Sequence, residues 1–341
     1  MTDELSDSSE LYEHFRFIVD RGQTALRIDK FLGNKMENTS RSRIQAAAQA
    51  GNILVNEAPV KPNYKVKPED TISIVLPHPP REIELIPEDI PLNITYEDED
   101  LIVLDKAAGM VVHPGYGNYS GTLINALMFH LKDNPLFSSG NERPGLVHRI
   151  DKNTTGLLVI AKNEVAMNKL AKQFYDKSSR RLYSALVWGD MKEDEGTITG
   201  HLGRSPSDRK KMKVFPDGTQ GKHAVTHYRV IERLGYVNLV ECRLETGRTH
   251  QIRAHFQYIK HPLFNDPEYG GDQILRGTTF TKYKQFINNC FNLLPRQALH
   301  ARLLGFSHPS TGEDLTFESP LPADFASVLD KWRNYTGGRD F

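Results

Sequence analysis

The segment Pro144-Gly-Leu-Val-His-Arg-Ile-Asp-Lys-Asn-Thr-Thr-Gly-Leu-Leu-Val-Ile-Ala-Lys162 constrains this chain more than any other. It places Asp151 just after His148 and Arg149, and the turn formers Asn153, Thr154, Thr155 and Gly156 follow. Leu157 to Ala161 is then a short apolar run of the kind that fills a buried strand. Whatever fold the chain adopts must hold a carboxylate and a cation in a tight loop ahead of a core strand.

At 341 residues the chain is long enough for one large domain and a small one. Its apolar and charged fractions, 38% and 25%, are those of an ordinary soluble protein. The formal charge is zero, but it is unevenly spread. Residues 1–20 carry Asp3, Glu4, Asp7, Glu10, Glu13 and Asp20 against Arg16 alone, whereas residues 21–76 carry a surplus of four positive charges. An acidic flexible tail ahead of a basic module is expected. Cys242 and Cys290 are too few for a disulfide framework, and no metal-spaced cysteine pair occurs. With no apolar N-terminal signal and no run of 18 apolar residues, the chain reads as cytoplasmic, with no membrane segment. A monomer is the default expectation.

The boundaries expected are a tail over 1–20, a small α/β module over 21–77, a Pro-rich linker over 78–90 around Pro77-His-Pro-Pro80, a large domain over 91–330 and a tail over 331–341. In the small module, Leu26–Leu32 has helical spacing, and Ser40 caps a second helix that ends at Gly51. Ile53–Asn56 and Thr71–Leu76 read as strands, with a turn at Glu57–Pro59 between them. In the large domain, strands are expected at 101–104, 157–161, 182–188, 197–202, 223–230 and 237–244. Helices are expected at 123–131, 164–174 and 249–259. Many strands with few long helical patterns argue for an α+β domain, a mixed, largely antiparallel sheet with flanking helices.

On pattern alone, an Asp ahead of Asn-Thr-Thr-Gly is more often a turn residue than a reactive one. Context shifts the balance, because a second cationic cluster lies in Glu245-Thr-Gly-Arg-Thr-His-Gln-Ile-Arg-Ala-His255. With Thr249 as N-cap, Arg248 stays in the loop and Arg253 sits about one turn inside a helix, an arrangement suited to a phosphate or a carboxylate. A solvated basic face is the plain alternative. His250 and His255 are five apart and miss the spacing of a helical zinc pair, so no metal site is expected. Tyr183 shares a strand face with Ala185 and Val187, and reads as a sheet tyrosine or as a ring that stacks on a base. Lys30, Arg41 and Arg43 suit a groove that follows nucleic-acid phosphates, or an ordinary charged surface. Gly115-Tyr-Gly-Asn-Tyr-Ser-Gly121 fits no phosphate-loop pattern and reads as a surface loop.

Taken together, residues 25–325 resemble the RluA-type family of pseudouridine synthases, in the form that carries an S4-like RNA-binding domain in front. Gly145-Leu-Val-His-Arg-Ile-Asp-Lys-Asn-Thr-Thr-Gly-Leu157 is close to the family's signature around its essential aspartate, Arg180-Arg-Leu-Tyr-Ser-Ala-Leu186 to the tyrosine motif, and Thr246-Gly-Arg-Thr-His-Gln-Ile-Arg253 to the motif with the basic residue. Tyr96-Glu-Asp-Glu-Asp-Leu-Ile-Val103, Val112-His-Pro-Gly115, Arg296-Gln-Ala-Leu-His-Ala301 and His308-Pro-Ser-Thr-Gly-Glu313 are further matches. The resemblance implies uridine isomerisation with Asp151, Tyr183 and Arg253 as catalytic residues. Arg253 is the aspartate's partner, with Arg248 as second choice. It further implies RNA or substrate contacts at Arg149, His148, Arg248, His250, Lys30, Arg41 and Arg43, no cofactor, and RNA as partner, with large-subunit ribosomal RNA or its assembling particle favoured. A non-catalytic RNA-binding or ribosome assembly factor and a nucleoside or glycoside hydrolase are the competing readings.

Overall fold

In a computed structural model, residues 12–36, 39–76, 85–115, 118–138, 143–206, 208 and 211–337 are described. The acid-rich first eleven residues, Pro77-His-Pro-Pro80, the middle of the 115–121 loop and residues 338–341 lie outside them. The chain divides into two units, residues 1–82 and 83–341.

The first unit packs two helices on a four-stranded sheet. Its elements are β1 (Tyr12–Ile18), α1 (Ile28–Lys35), α2 (Arg41–Gln49), β2 (Ile53–Val55), β3 (Ala58–Pro59) and β4 (Thr71–Leu76), with strand order β1-β4-β2-β3. The apolar spacing of α1 and α2 delivers Ile28, Phe31, Leu32, Ile44 and Ala48 onto Ile53, Val55, Ile72 and Ile74. Ser40 caps α2, its hydroxyl accepting from the Arg43 N–H at 3.3 Å. The expected tail over 1–20 needs correction: residues 12–18 form β1, paired antiparallel along β4. Its Phe15 and Phe17 follow the period-2 pattern of a strand, which the dense acids around them mask in the sequence.

Asp29 organises the start of both helices. Burial pushes its carboxyl up, but hydrogen bonds from Arg27, Gln45 and Arg41 outweigh that and hold it at about 2. The stability it contributes is therefore present above the ordinary carboxylate range and is lost as pH falls through about 2.

The second unit is an α+β domain. It comprises β5 (Ile94–Glu97), β6 (Leu101–Lys106), α3 (Leu123–His130), α4 (Pro135–Ser138), β7 (Thr155–Ala161), α5 (Glu164–Tyr175), β8 (Arg180–Trp188), β9 (Glu195–Arg204), β10 (Met212–Phe215), β11 (Lys222–Leu234) and β12 (Val237–Leu244). α6 (Gln251–Tyr258), α7 (Thr281–Leu293), β13 (Leu299–Ser307), β14 (Asp314–Glu318) and α8 (Ala323–Thr336) complete it. Among the described residues ten strands form one sheet, in the order β10-β9-β11-β12-β8-β13-β7-β6-β5, with β14 on β13. Every pairing there is antiparallel except β7 with β13.

Both faces of the middle of this sheet are covered, so β7 is buried along its whole length. On β8, Tyr183, Ala185 and Val187 join a core with α3 and α6, while Leu186 and Trp188 face α7 and α8. β7 and β13 meet at Gly156, where φ is +112° and an added methyl would overlap the Ala301 carbonyl. That close approach fixes the start of β7, immediately after the turn that carries Asp151.

Two further boundaries differ from expectation. Residues 85–90 are docked, not a free linker. The Glu88 N–H donates to the Asn125 carbonyl at 3.0 Å, Asn125 Nδ2 donates to the Ile86 carbonyl at 2.7 Å, and the Glu88 carboxylate accepts from the Gly121 N–H at 2.9 Å. Nor is 331–341 a tail from its start, because α8 runs to Thr336 and seats Trp332, with no exposed surface, beside Phe325, Val328 and Leu329.

Candidate active site

Asp151 sits in the turn between an isolated bridge, Leu146 to Ile160, and β7. The Thr154 N–H donates to its carbonyl at 3.1 Å, closing the turn that Asn-Thr-Thr-Gly favours. Several side chains brace this turn. Lys106 Nζ donates to the carbonyls of Ala107 (2.6 Å), Met110 (2.9 Å) and Lys152 (3.0 Å), matching the three donors of an ammonium group. Burial pulls Lys106 down to about 7, and the Asp151 charge works against that fall. Arg296, clamped to Asp324 at 2.8 and 2.9 Å, donates to the Asn153 carbonyl at 3.2 Å. Gln297 Nε2 reaches Thr154 Oγ1 at 3.3 Å, and His300 Nδ1 lies 2.9 Å from Thr155 Oγ1.

Arg253 comes to Asp151 from α6. Its Nη1 lies 3.3 Å from Asp151 Oδ2, while Nε and Nη2 grip Asp266 at 2.7 and 2.8 Å and Nη2 also meets Glu268 at 2.6 Å. Burial alone would lower this guanidinium's pKa, but Asp266, Asp151 and Glu268 together raise it above its ordinary range. Asp266 is itself oriented by the N–H groups of Glu268 and Tyr269, at 3.1 and 3.3 Å. The Tyr269 ring lies under the guanidinium at 4.9 Å.

α6 begins one residue later than expected. His250, at φ 52°, precedes its first residue without a side-chain cap, and Gln251 Oε1 instead accepts from the Arg248 N–H at 3.0 Å and Thr246 Oγ1 at 2.7 Å. A long amide in the first turn thus ties down the loop that leads into the helix.

Asp151, Arg253, Tyr183, His148, Arg149, Arg248 and His250 all line one cleft of about 330 Å³, within the range of small-molecule sites. Tyr183 is 7% exposed, and burial raises its phenol above the usual range, so it stands there as O–H at neutral pH. His250 Nε2 is 4.0 Å from Asp151 Oδ1, and its Nδ1 lies 3.0 Å from the Tyr269 hydroxyl. Burial depresses the His250 pKa, partly offset by Asp151. His148 Nε2 accepts from the Val159 N–H at 3.0 Å, and the ring stacks on Phe174 at 4.3 Å. Burial and the nearby Arg181 push His148 to about 3, so the neutral ring is fixed to the backbone. Arg149 and Arg248 are exposed cleft residues. Arg248 Nε reaches the His223 carbonyl at 3.4 Å, so Arg253, and not Arg248, pairs with Asp151.

Lys30, Arg41 and Arg43 lie in the other unit, on α1 and α2. Lys30 and Arg43 are exposed, whereas Arg41 Nε is held 3.0 Å from Asp29 Oδ2. The two segments matched near residues 98 and 308 meet each other: Asp98 Oδ2 accepts from the Tyr96 hydroxyl at 2.7 Å and pairs with His308 Nε2 at 2.9 Å. The sequence alone assigned no role to Lys106, Arg181, Asp266, Glu268 or Tyr269. The signal for the last three was the turn-rich Asn265-Asp-Pro-Glu-Tyr-Gly-Gly271, which offers two acids shortly after an arginine that needs partners. Among the described residues no group of three or more His, Cys, Asp or Glu could hold a metal ion, and no helix is long and apolar enough to cross a membrane.

Residues 100–258 match the RNA pseudouridylate synthase family and residues 26–72 match the S4 domain. An RNA pseudouridine synthase of Chlorobaculum parvum is 50% identical over 317 residues, 92% of this chain and 96% of its own length. The ribosomal large subunit pseudouridine synthase D of Zymomonas mobilis is 42% identical over 305 residues, 87% of this chain and 91% of its own. The solved structure of human RNA pseudouridylate synthase domain containing 4 covers 71% of this chain and 93% of that chain at 24% identity, with a TM-score of 0.52, a likeness of fold. With 50% identity sustained along nearly the whole of one relative, this chain belongs to the RNA pseudouridine synthase family of isomerases and carries an S4 domain ahead of its catalytic domain.

Proposed function

We propose that this enzyme isomerises specific uridines of large-subunit ribosomal RNA to pseudouridine, using Asp151 as its one reactive carboxylate. One observation carries the reading: Asp151 Oδ2 lies 3.3 Å from a guanidinium locked by two further carboxylates, in the same cleft as the Tyr183 ring. The ribosomal substrate is supported by relatives such as the Zymomonas mobilis and Neisseria meningitidis proteins, whose names state it.

The target uridine leaves its stack and enters the cleft, at a cost of about a few kcal/mol. Asp151 then acts on the ribose by one of two routes. In one, a carboxylate oxygen attacks the anomeric carbon and the base leaves through N1, giving a glycosyl ester. In the other, the carboxylate takes the 2′ proton and the base departs to leave a glycal. In both, the uracil turns and C5 bonds to the anomeric carbon, as the ester C–O bond breaks in the first route or the Asp151 carboxyl returns its proton to C2′ in the second, and the C5 proton is lost last. A returning base does the work that water does in a glycosidase, so a single carboxylate suffices while the cleft excludes water. Tyr183 stacks on the uracil, and its neutral hydroxyl is positioned for late proton handling. Arg253 orients Asp151 and offsets the cost of holding a carboxylate in the cleft. A single chain contains every one of these groups, so a monomer is sufficient.

The test is incubation of the full chain with an unmodified large-subunit ribosomal RNA transcript, followed by carbodiimide labelling and primer extension. Discrete new stops with no free uracil are expected. Released uracil would mean a hydrolase, and an unchanged pattern would sink the substrate assignment.

A further expectation concerns the S4 domain. Changing Lys30 and Arg43 to Ala should weaken binding of that transcript and make its dependence on log salt shallower by roughly one to two units. Binding titrations at several salt concentrations check this, and an unchanged slope would remove these cations from the RNA contact. Arg41→Ala should in addition lower the melting temperature, because it strips a partner from the buried Asp29.

A further inference from the structure

The cleft contains a second buried cation, one that the pairing of Asp151 with Arg253 leaves unused. Arg181 stands two residues before Tyr183 on β8, so both side chains leave the strand on the same face. It is 6% exposed and lines the cleft. Its guanidinium lies 5.1 Å from the centre of the Phe174 ring, which stacks in turn on His148. Its Nε is buried without a hydrogen-bond partner. Among the described residues no carboxylate pairs with it, and burial works against its charge. Arg253 and Arg296, equally buried, are each clamped by carboxylates.

An arginine keeps its charge even when buried, and a buried charge without a counter-ion is costly. The Phe174 face offsets only part of that cost. Gly247 leaves room beside the group, since a Cβ there would come within 3.1 Å of Arg181 Nη1. The cleft is thus polarised. Around Arg253 stand three carboxylates, whereas Arg181 stands without one, with exposed Arg149 and Arg248 among the same lining residues. A nucleotide is polarised in the same sense, with a reactive anomeric carbon at one end and a phosphodiester at the other.

We infer that Arg181 binds a phosphate oxygen of the target nucleotide's own backbone, fixing the ribose against Asp151. This rests on the reading above, that the cleft admits an everted uridine. A base carbonyl could take the Nε hydrogen bond, but only an anion also balances the charge, and charge-assisted bonds to phosphate are what a guanidinium forms best.

The test uses a synthetic RNA hairpin carrying the uridine mapped in the ribosomal transcript, made with all phosphodiesters or with one neutral methylphosphonate on either side of that uridine. With wild-type protein, one of the two neutral linkages should lower kcat/KM by about 10- to 100-fold. Arg181→Met should lower kcat/KM on the unmodified hairpin by a similar factor. The same neutral linkage should then cost Arg181→Met less than about a further twofold, the signature of a shared interaction. Equal cost in both proteins, or unimpaired kcat/KM in Arg181→Met, would overturn the inference. Should that variant not fold, the wild-type arm decides: a loss below about twofold at both linkages removes the phosphate contact. Absence of conversion of the unmodified hairpin by wild type overturns the proposed function, and the inference with it.

Discussion

Replacing Asp151 by asparagine is expected to lower conversion at least about 10,000-fold, the scale seen when the reactive group of an enzyme is removed. The change keeps the shape of the side chain and removes its charge, so neither a glycosyl ester nor abstraction of the 2′ proton remains open to it. The fold should tolerate the change. Arg253 retains Asp266 and Glu268, at 2.7 and 2.6 Å, when its 3.3 Å contact to residue 151 weakens. The turn is held by backbone and neighbouring groups: the Thr154 N–H bonds the residue-151 carbonyl, and Lys106 and Arg296 bond the carbonyls of Lys152 and Asn153. Stability should thus change by no more than about 1 kcal/mol, a typical worth for one replaceable polar contact. Affinity for the RNA transcript should stay within about threefold, since the phosphate contacts that dominate binding are elsewhere. Single-turnover conversion read by carbodiimide labelling, beside a binding titration and a urea melt, separates these effects. Robust conversion by the amide variant would end the assignment of Asp151.

How far the chain could be read depended on how local the signal was. The Ser40 cap, the end of α2 near Gly51 and the span of β4 are dictated by neighbours in sequence, and all three stand where expected. The helices α7 and α8 were equally periodic, with Tyr283, Phe286, Ile287, Cys290 and Phe291 on one stripe and Phe325, Val328, Leu329 and Trp332 on the other. They went unread because aromatic, Asn and Cys residues make weak helix formers, and only packing against Trp188 and Leu234 explains them. The site divides in the same way. The turn around Asp151 was legible, but its pairing with Arg253 spans 102 positions and rested on family resemblance, since no local rule joins them. Asp266 and Glu268 escaped because their role exists only once α6 has aimed Arg253 at them.

Arg253→Met is expected to abolish detectable conversion and also to destabilise the catalytic domain. Three carboxylates converge on this guanidinium, and Asp266 has a fully buried side chain. Methionine fills much of the same volume but leaves Asp266 as an uncompensated buried charge, which costs about 3–5 kcal/mol. Asp151 and Glu268, two acids that shared this guanidinium, would then repel each other as well. Urea unfolding of wild type and variant measures the stability loss. Arg253→Lys separates the two effects: it retains a positive charge but cannot bridge Asp266, Glu268 and Asp151 at once, because the planar fork is lost. It should fold with a smaller stability loss and still convert at least about 100-fold more slowly than wild type, since misplacing a reacting group by about 1 Å costs that much. Asp266→Asn, which touches the guanidinium and not Asp151, should lower kcat more than it raises KM, as expected when a group that positions the reacting carboxylate is loosened. If Arg253→Lys turns over at the wild-type rate, charge alone is sufficient and the locked geometry of this pair has no catalytic role.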